Sequence, residues 1–481
     1  MKLKTILFEG IKENLAIEFL SNEVKSSPFK GKVFLAGGAP RDLILDLPIK
    51  DIDLVIEFEN GGIAFAQWIC RKLGIYSSAN PVVFERFGTA KFNLRGIKYK
   101  GEDLSNIDIE CVMTRKEKYN GLDRKPDVSP GTLKDDAERR DFTVNSLMKD
   151  LTTGEILDLT GKGKDDIKNG VIRSAIDPNI IFKEDPLRML RAIRFTVKYN
   201  WTLPLYMIKA MKMNAHMLKN ISFERIQDEL NKMIVTNFPD KAIRLMEMTG
   251  ILSYVMPEIQ TLKGVTQNKY HSSDAYFHTL DVLKGVPANI PTRLAALFHD
   301  VGKYDTKSII DGETHFYHHE EVGEGIAREV MTRLKYPNNI IDAVCTAVRE
   351  HMRLKGAGFE GEVVSDKALR KLQNDLGNHL EMTLDLMHSD NSAHADDHKM
   401  ELQIPGIRAR LTHLKQVDNM PKILLPIDGF DIQKELGIKP GPIIKVMLDI
   451  VKNSWFENPH ITKEQAISLI KKQYKSMLNN Q

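Results

Sequence analysis

The chain has 481 residues, of which 42% are hydrophobic and 28% charged, and a formal net charge of +3, an ordinary globular composition with material for three or four domains. Its three cysteines, Cys70, Cys111 and Cys345, are scattered and form no CxxC pair, which argues against a disulfide framework or a zinc ribbon. Charges at Lys2, Lys4, Glu9, Lys12, Glu13 and Glu18 interrupt the first segment, so no signal peptide is expected; no apolar run approaches the about 20 residues of a membrane span, and a cytoplasmic protein is expected.

Lys32–Ala36 reads as a buried strand, and Gly37-Gly38 makes a sharp turn after it. Pro40 suits the first turn of a helix running to Leu47 and stopping near Pro48. Asp51–Phe58 follows as a strand with Ile52, Leu54 and Ile56 on one face, and Val82–Leu94 and Ile107–Met113 add strand-like material. From about Phe182 the pattern turns helical. Leu187, Leu190, Ile193 and Val197 recur at helical steps, as do Ile221, Ile226, Leu230 and Ile234 less regularly. Phe277–Lys284, Arg293–Val301, His319–Leu334 and Ile340–His351 are expected helices, Lys355–Asp366 a loop, and Pro405-Gly406 a turn that opens a last segment. There is no internal repeat.

Charge divides along this path. Residues 271–400 carry 14 basic against 21 acidic residues, whereas Ile181–Asn220 carries eight basic and two acidic. Eleven of the fourteen histidines fall between His271 and His398. An acidic, histidine-rich stretch suits bound cations, and a basic remainder suits a polyanion such as RNA.

Asp51 and Asp53 are two apart on an expected strand, so both carboxylates leave one face and can share divalent cations. A third carboxylate should come from a neighbouring strand, and in Ile107-Asp108-Ile109-Glu110 either Asp108 or Glu110 could serve. A lone DxD pattern is common in loops and caps. Here the Gly37-Gly38 turn feeding a helix start, with Arg41, adds a natural triphosphate cradle.

Gly37-Gly38-Ala39-Pro40-Arg41-Asp42 followed by Asp51-Ile52-Asp53 resembles the active-site signature of the DNA polymerase β nucleotidyltransferase superfamily. Arg139-Arg140-Asp141-Phe142-Thr143-Val144-Asn145, Glu184-Asp185-Pro186-Leu187-Arg188-Met189-Leu190-Arg191-Ala192 and Ser222-Phe223-Glu224-Arg225 narrow the resemblance. Together they are similar to class II CCA tRNA nucleotidyltransferases and their bacterial poly(A) polymerase relatives, from about Val33 to Leu230.

The resemblance implies that Asp51 and Asp53 bind Mg2+ with Glu110 as third carboxylate, that Gly37, Gly38 and Arg41 cradle the triphosphate, that Arg140 and Asp141 meet the ribose, with Asn145 in the same motif, and that Asp185 and Arg188 read the base. That last role has physical sense. Cytosine and adenine each offer an amino donor beside a ring-nitrogen acceptor, which one carboxylate and one guanidinium can match, while U and G leave groups unpaired. The bland alternative makes Asp185 a helix cap and Arg188 a solvated side chain. Ala39-Pro40 and Ser146 depart from the family pattern, which touches fine geometry only.

Phe277-His278-Thr279-Leu280-Asp281 and Leu297-Phe298-His299-Asp300-Val301-Gly302-Lys303 resemble the HD-domain phosphohydrolases, with His319, His351 and Asp390 further along. His278, His299, Asp300 and Asp390 would form the basic ligand set, and His319 and His351 match the extra ligands of two-metal members. Such a set suits a divalent transition metal: Mn, Ni, Fe, Co or Zn. His271, His315, His318, His379, His388, His394 and His398 do not fit the pattern.

The fold expected is therefore α+β, with a nucleotidyltransferase head of small mixed β-sheet and helices over residues 1–150. An all-α neck and body for base selection and tRNA binding would span 151–270, an HD domain 271–400 and a helical tRNA-binding tail 401–481. The resemblance implies addition of C, C and A to a tRNA 3′ end from CTP and ATP, with the HD domain a phosphatase or phosphodiesterase on RNA ends or else a metal-stabilised scaffold. No membrane and no protein partner are implied. The alternatives are a CC-adding enzyme, an A-adding enzyme or a poly(A) polymerase, the Phe84–Lys91 stretch weakly favouring full CCA addition. A further alternative is an HD phosphohydrolase whose head only binds RNA.

Overall fold

A computed structural model describes residues 10–85, 88–118, 127–267, 273–418 and 425–479. Their contacts divide into two compact units, Met1–Val255 and Met256–Gln481.

The first unit is built on a mixed sheet of seven strands among the described residues: β1 (Val33–Ala36), β2 (Ile52–Ile56), β3 (Val82–Phe84), β4 (Thr89–Asn93), β5 (Asp108–Met113), β6 (Met148–Asp150) and β7 (Ile156–Leu157), in the order β7-β6-β1-β2-β5-β4-β3. Only β2 and β5 pair in parallel, and that register sets Asp53 opposite Glu110. Alternation along β1 and β2 sends Val33, Leu35, Ile52, Leu54 and Ile56 to one face, against α1 (Ile11–Lys25) and α3 (Gly61–Lys72). Phe34, Ala36 and Val55 pack on the opposite face with Ala137 and Met148. Both faces are therefore covered, and Asp53 shares the second one by its period of two.

The expected elements shift at their ends. The helix after Gly38, α2 (Ala39–Ile44), stops three residues short of Leu47. Asp51 lies just ahead of β2 rather than inside it. Val82–Leu94 is two strands, not one, and Arg86 and Phe87 of the Phe84–Lys91 stretch lie outside the described residues. A hairpin, Arg115–Lys118 with Asp127–Pro130, has no counterpart in the sequence reading.

The unit also contains helices, among them α4 (Leu133–Glu138), α5 (Pro178–Glu184), α6 (Leu187–Tyr199), α7 (Phe223–Ile234) and α8 (Pro239–Met248). Helix α6 buries Leu187, Leu190, Ile193 and Val197 against α7 and α8, the face that helical spacing picks out.

The second unit packs α9 (Ala275–Gly285), α10 (Ile290–Phe298), α11 (His319–Arg333), α12 (Asn338–Glu350) and α14 (Leu380–Ser392), with α13 (Asp366–Leu376) and α15 (Gln403–Asp418) sharing a second core with α14. Helices α16 (Gly429–Leu436), α17 (Pro442–Glu457) and α18 (Lys463–Asn479) enclose a separate core around Ile432, Met447, Val451 and Ile470. Pro405-Gly406 is not a turn; both residues lie in the first turn of α15. Proline's missing N–H costs nothing there, and a Cβ at Gly406 would collide with the Glu360 carbonyl, so this glycine serves close packing. Among the described residues no helix is long and apolar enough to cross a membrane.

Leu54 is fully buried in the central strand that carries Asp53. Leu54→Ala is expected to cost about 2–5 kcal/mol of stability, read as a lowered denaturant midpoint of the first unit.

Candidate functional site

In the first unit a cleft of about 800 Å3 is lined by Gly37, Gly38, Arg41, Asp51, Asp53, Arg140, Asp141, Asn145, Asp185 and Arg188, among others. Ten residues proposed from separate sequence motifs thus meet at one cavity. Glu110, the eleventh, stands across the strand register from Asp53. Its rival Asp108 is engaged by Lys91 at 3.0 Å. Burial, with the charges of Glu110 and then Asp51, pushes the Asp53 carboxyl up to about 6, against the pull of Arg140. A carboxylate held in that way favours a bound cation.

Gly37 has φ +71°, and a Cβ there would sit 2.8 Å from Asp53 Oδ2. Only glycine satisfies both the left-handed backbone and the approach to the carboxylate. Arg41, buried, donates to Asn145 Oδ1 at 2.5 Å and to Asp42 Oδ1 at 2.8 Å, and its guanidinium lies 5.3 and 5.1 Å from the Phe195 and Tyr199 ring centres.

Arg188, Arg191, Arg194 and Lys198 recur at steps of three and four along α6, so one helix face gives the cleft a basic wall. Each arginine is held. Arg188 donates to Glu184 at 2.9 Å and to the Arg139 carbonyl at 2.9 Å. Arg191 sends two hydrogen bonds to Asp141 Oδ2, at 2.8 and 2.6 Å, and Arg194 one to Glu229 at 2.6 Å. Burial alone would raise the Asp141 carboxyl, but Arg191 and Asn145 hold it below its ordinary value. Asp185 accepts from Arg225 at 2.8 Å and from the Leu187 amide at 3.1 Å. The cap role of Asp185 is real, whereas Arg188 is only 11% exposed and is no solvated side chain.

Asp136 was not singled out by the sequence. It is fully buried in the first turn of α4 and accepts from Arg139 at 2.9 and 2.6 Å and from Arg140 at 3.2 and 2.9 Å. One carboxylate thereby aims both arginines of the Arg139-Arg140-Asp141 motif. Its neighbour Asp135 makes the motif look like a plain helix start, and it does form a capping box with Thr132. Arg191, by contrast, could have been found from its step of three after Arg188.

In the second unit His278 comes from α9, His299 and Asp300 from the end of α10, His319 from the start of α11, His351 from the end of α12 and Asp390 from α14, and all six are buried. His278, His299 and Asp300 form one group of potential ligands and Asp300, His319 and His351 a second, sharing Asp300. Asp390 lies 3.0 Å from His278 and 4.0 Å from His299. His299, His319 and His351 each place Nδ1 on a backbone carbonyl, of Ala296, Phe316 and Val348, at 2.8, 2.8 and 2.6 Å. That leaves every Nε2 facing the centre, the usual second contact of a metal-bound imidazole. The His299 Nε2 is buried and makes no hydrogen bond, so the residues fit a divalent ion.

Three further groups belong here. Lys303 reaches Asp300 at 2.7 Å, and Lys355 reaches Asp390 at 2.9 Å and His394 at 3.2 Å. Lys303, Lys355 and His394 stand three, four and four residues after Asp300, His351 and Asp390, a spacing that could have flagged all three. His394, which the sequence left unassigned, lies 3.7 Å from Asp390. His271 lies outside the described residues.

Residues 33–173 match the poly A polymerase head domain, 206–262 the probable RNA- and SrmB-binding site of polymerase A, and 278–386 the HD domain. A multifunctional CCA protein of Nitrosococcus oceani is 30% identical over 328 residues, covering 64% of this chain and 71% of that one. The chain belongs to the tRNA nucleotidyltransferase and poly(A) polymerase family, with a fused HD domain. An A-adding tRNA nucleotidyltransferase of Deinococcus radiodurans is 29% identical over 66% of this chain and 74% of its own. A tRNA nucleotidyltransferase of Schizosaccharomyces pombe is 24% identical over 94% of both.

The fold agrees with family members of known structure. A Bacillus stearothermophilus CCA-adding enzyme in complex with CTP covers 98% of this chain and 100% of its own, at a TM-score of 0.67 and 21% identity. A Thermotoga maritima CCA-adding enzyme complexed with tRNA covers 98% of both, at 0.63 and 20%. Nucleotidyl transfer in this family is metal-dependent.

The buried Asp136 pairs are expected to matter to stability. Burial would raise its carboxyl, but Arg140 and Arg139 bring it below the ordinary value. A depressed carboxyl contributes stability that is present above the unfolded Asp pKa of about 3.9 and is lost as pH falls through the folded value. Asp136→Asn should therefore lose roughly 3–5 kcal/mol at neutral pH, with the gap to wild type closing in acid. Denaturation at pH 7 and below pH 4 checks both parts.

Proposed function

We propose that this chain adds C, C and A to the 3′ end of tRNA from CTP and ATP. Residues 1–150 act as the catalytic head, 151–270 as the neck and body that select the base and bind tRNA, 271–400 as the HD domain, and 401–481 as a tail against the tRNA. The setting on this reading is the cytoplasm. The observation that carries it is the shared cleft: Asp51 and Asp53 meet the same cavity as Asp185 and Arg188, so one bound nucleotide can offer its triphosphate to the first pair and its base to the second.

In the reaction the terminal 3′-oxygen of tRNA forms a bond to the α-phosphorus, the bond from that phosphorus to the bridging oxygen breaks, and pyrophosphate leaves with the electron pair. The hydroxyl proton passes to water. Asp51, Asp53 and Glu110 would hold Mg2+, which when bound offsets the triphosphate charge and acidifies the attacking hydroxyl. The Gly37-Gly38 turn and Arg41 cradle the phosphates, and Arg140, Asp141 and Asn145 bound the ribose. Arg188 donates to the ring nitrogen of C or A while Asp185 accepts from the amino group, which requires Asp185 to share itself with Arg225. The basic face of α6 holds RNA and nucleotide phosphates, making binding salt-dependent.

The test is incorporation of labelled CTP and ATP, separately and together, into tRNA lacking its last one, two or three nucleotides. Addition should stop after C, C and A. Asp51→Ala and Asp53→Ala should lower it by about a thousandfold or more. The likeness to an A-adding enzyme makes the sibling outcome concrete: addition only of A, to tRNA already ending in CC, would assign that activity. No incorporation by the wild type would leave the head a binding module.

For the HD domain we infer hydrolysis of phosphate esters at RNA ends, with His278, His299, Asp300, His319, His351 and Asp390 holding Mn, Ni, Fe, Co or Zn. A bound ion of this kind supplies a hydroxide at neutral pH. Lys303 and Lys355 would counter charge on the phosphate. His299→Ala should lower the divalent metal retained after dialysis, measured by elemental analysis, while leaving nucleotide incorporation intact. Metal retention without phosphate release would make the domain a scaffold.

A further inference from the structure

One side of the phosphate cradle in the first unit is aromatic. Phe195 and Tyr199 stand four apart on α6, so their rings leave one helix face, with centres 6.2 Å apart and planes 4° from parallel. The Arg41 guanidinium lies 5.3 Å from the first ring centre and 5.1 Å from the second, within the range of a cation–π contact. A Cβ at Gly38 would stand 2.9 Å from Arg41 Nη2, so the same guanidinium also rests against the turn.

The ring pair is itself braced. Trp201 stacks on Tyr199 with centres 4.8 Å apart. Its carbonyl accepts from Lys241 Nζ at 3.1 Å, and Gly170 approaches so closely that a Cβ there would sit 2.9 Å from Trp201 Cδ1. The Tyr199 hydroxyl donates to Asp42 Oδ1 at 3.3 Å, the same oxygen that accepts from Arg41 Nε at 2.8 Å. Arg41, Asp42 and Tyr199 thereby close a cycle that ties the helix of the basic wall to the Gly37-Gly38 turn. Phe195 packs edge-on to the buried Phe142 at 5.8 Å, so its loss would reach the core. Tyr199 is only partly buried, at the last position of α6.

Ordering a long arginine side chain costs rotamer entropy. Asp42 orders Arg41 by taking up N–H donors that a phosphate would use. An aromatic face orders the same cation without using any of them. The α-phosphorus must lie at the carboxylates, where the new bond forms, which leaves Arg41 for the terminal phosphates. We propose that Tyr199 is a positioning residue of the nucleotide site: it acts through Arg41 and favours the triphosphate over the monophosphate of the same nucleoside. The proposal rests on reading the cleft as a nucleoside triphosphate site.

The experiment measures binding of CTP and of CMP to the full chain by equilibrium dialysis with Mg2+, beside incorporation of CTP into tRNA. Tyr199→Leu, which keeps an apolar helix former, should raise Kd and KM for CTP about 2- to 30-fold and leave Kd for CMP little changed. Tyr199→Phe, which keeps the ring, should recover most of that loss. In an Arg41→Ala background Tyr199→Leu should have no further effect on CTP, the coupling expected of a residue that works through another. Equal losses for CTP and CMP, losses that simply add in the double variant, or no loss at all overturn the proposal. Wild-type protein that binds CTP no more tightly than CMP overturns it together with the cradle. Wild-type protein whose CTP binding depends on Tyr199 but which incorporates no nucleotide keeps the positioning role and removes the transferase reading.

Discussion

The pairing of β2 with β5 is the constraint on which the head depends. Among the described residues it is the sheet's only parallel pair, and its register brings Asp53 opposite Glu110. Two carboxylates so placed repel, and burial adds to the cost, as the raised Asp53 carboxyl records. The arrangement persists because Ile52, Leu54 and Ile56 are locked into the core on the other face of the same strand. A one-residue slip would turn Asp53 into the apolar core and carry those three side chains to the face that bears the cleft. Hydrophobic register thus holds in place an electrostatic arrangement that the carboxylates themselves disfavour, an imbalance that a bound cation would relieve.

The opposite wall answers that negative charge with arginines that are each held by a carboxylate. Arg139 and Arg140 hang from Asp136, Arg188 from Glu184, Arg191 from Asp141, Arg194 from Glu229 and Arg225 from Asp185. Bidentate or charge-assisted bonds fix planar guanidiniums at low entropic cost. Such a wall meets a nucleotide with its donors already aimed.

Much of this was legible in the sequence, and unevenly so. The Gly37-Gly38 turn, the strands around it and the α6 stripe follow from local backbone demands and periodicity, which are short-range properties. Periodicity alone left the third carboxylate open, since Asp108 and Glu110 share a face; the resemblance pointed to Glu110, and the strand register and the Lys91–Asp108 pair agree with it. Asp136 was hidden because a buried carboxylate and a capping one look alike beside each other in a chain. His394 and Lys355 each stand four residues after a ligand, but that spacing does not encode the contact between them, which only packing creates. Pro405-Gly406 was misread for the opposite reason: a turn-forming dipeptide sat at the start of a helix, where proline is tolerated, and packing against Glu360 selected the glycine.

The hydrogen bond from Arg188 to the Arg139 carbonyl is a strut between two recognition tasks. On the proposed assignment, Arg188 belongs to the pair that addresses the base, and Arg139 precedes the residues that bound the sugar. A guanidinium that turns to follow a different base pulls on the backbone beside Arg140. On that assignment, discrimination among bases and discrimination between ribose and deoxyribose would be mechanically geared together, and an enzyme re-engineered for a new base would inherit a changed tolerance for the sugar as well.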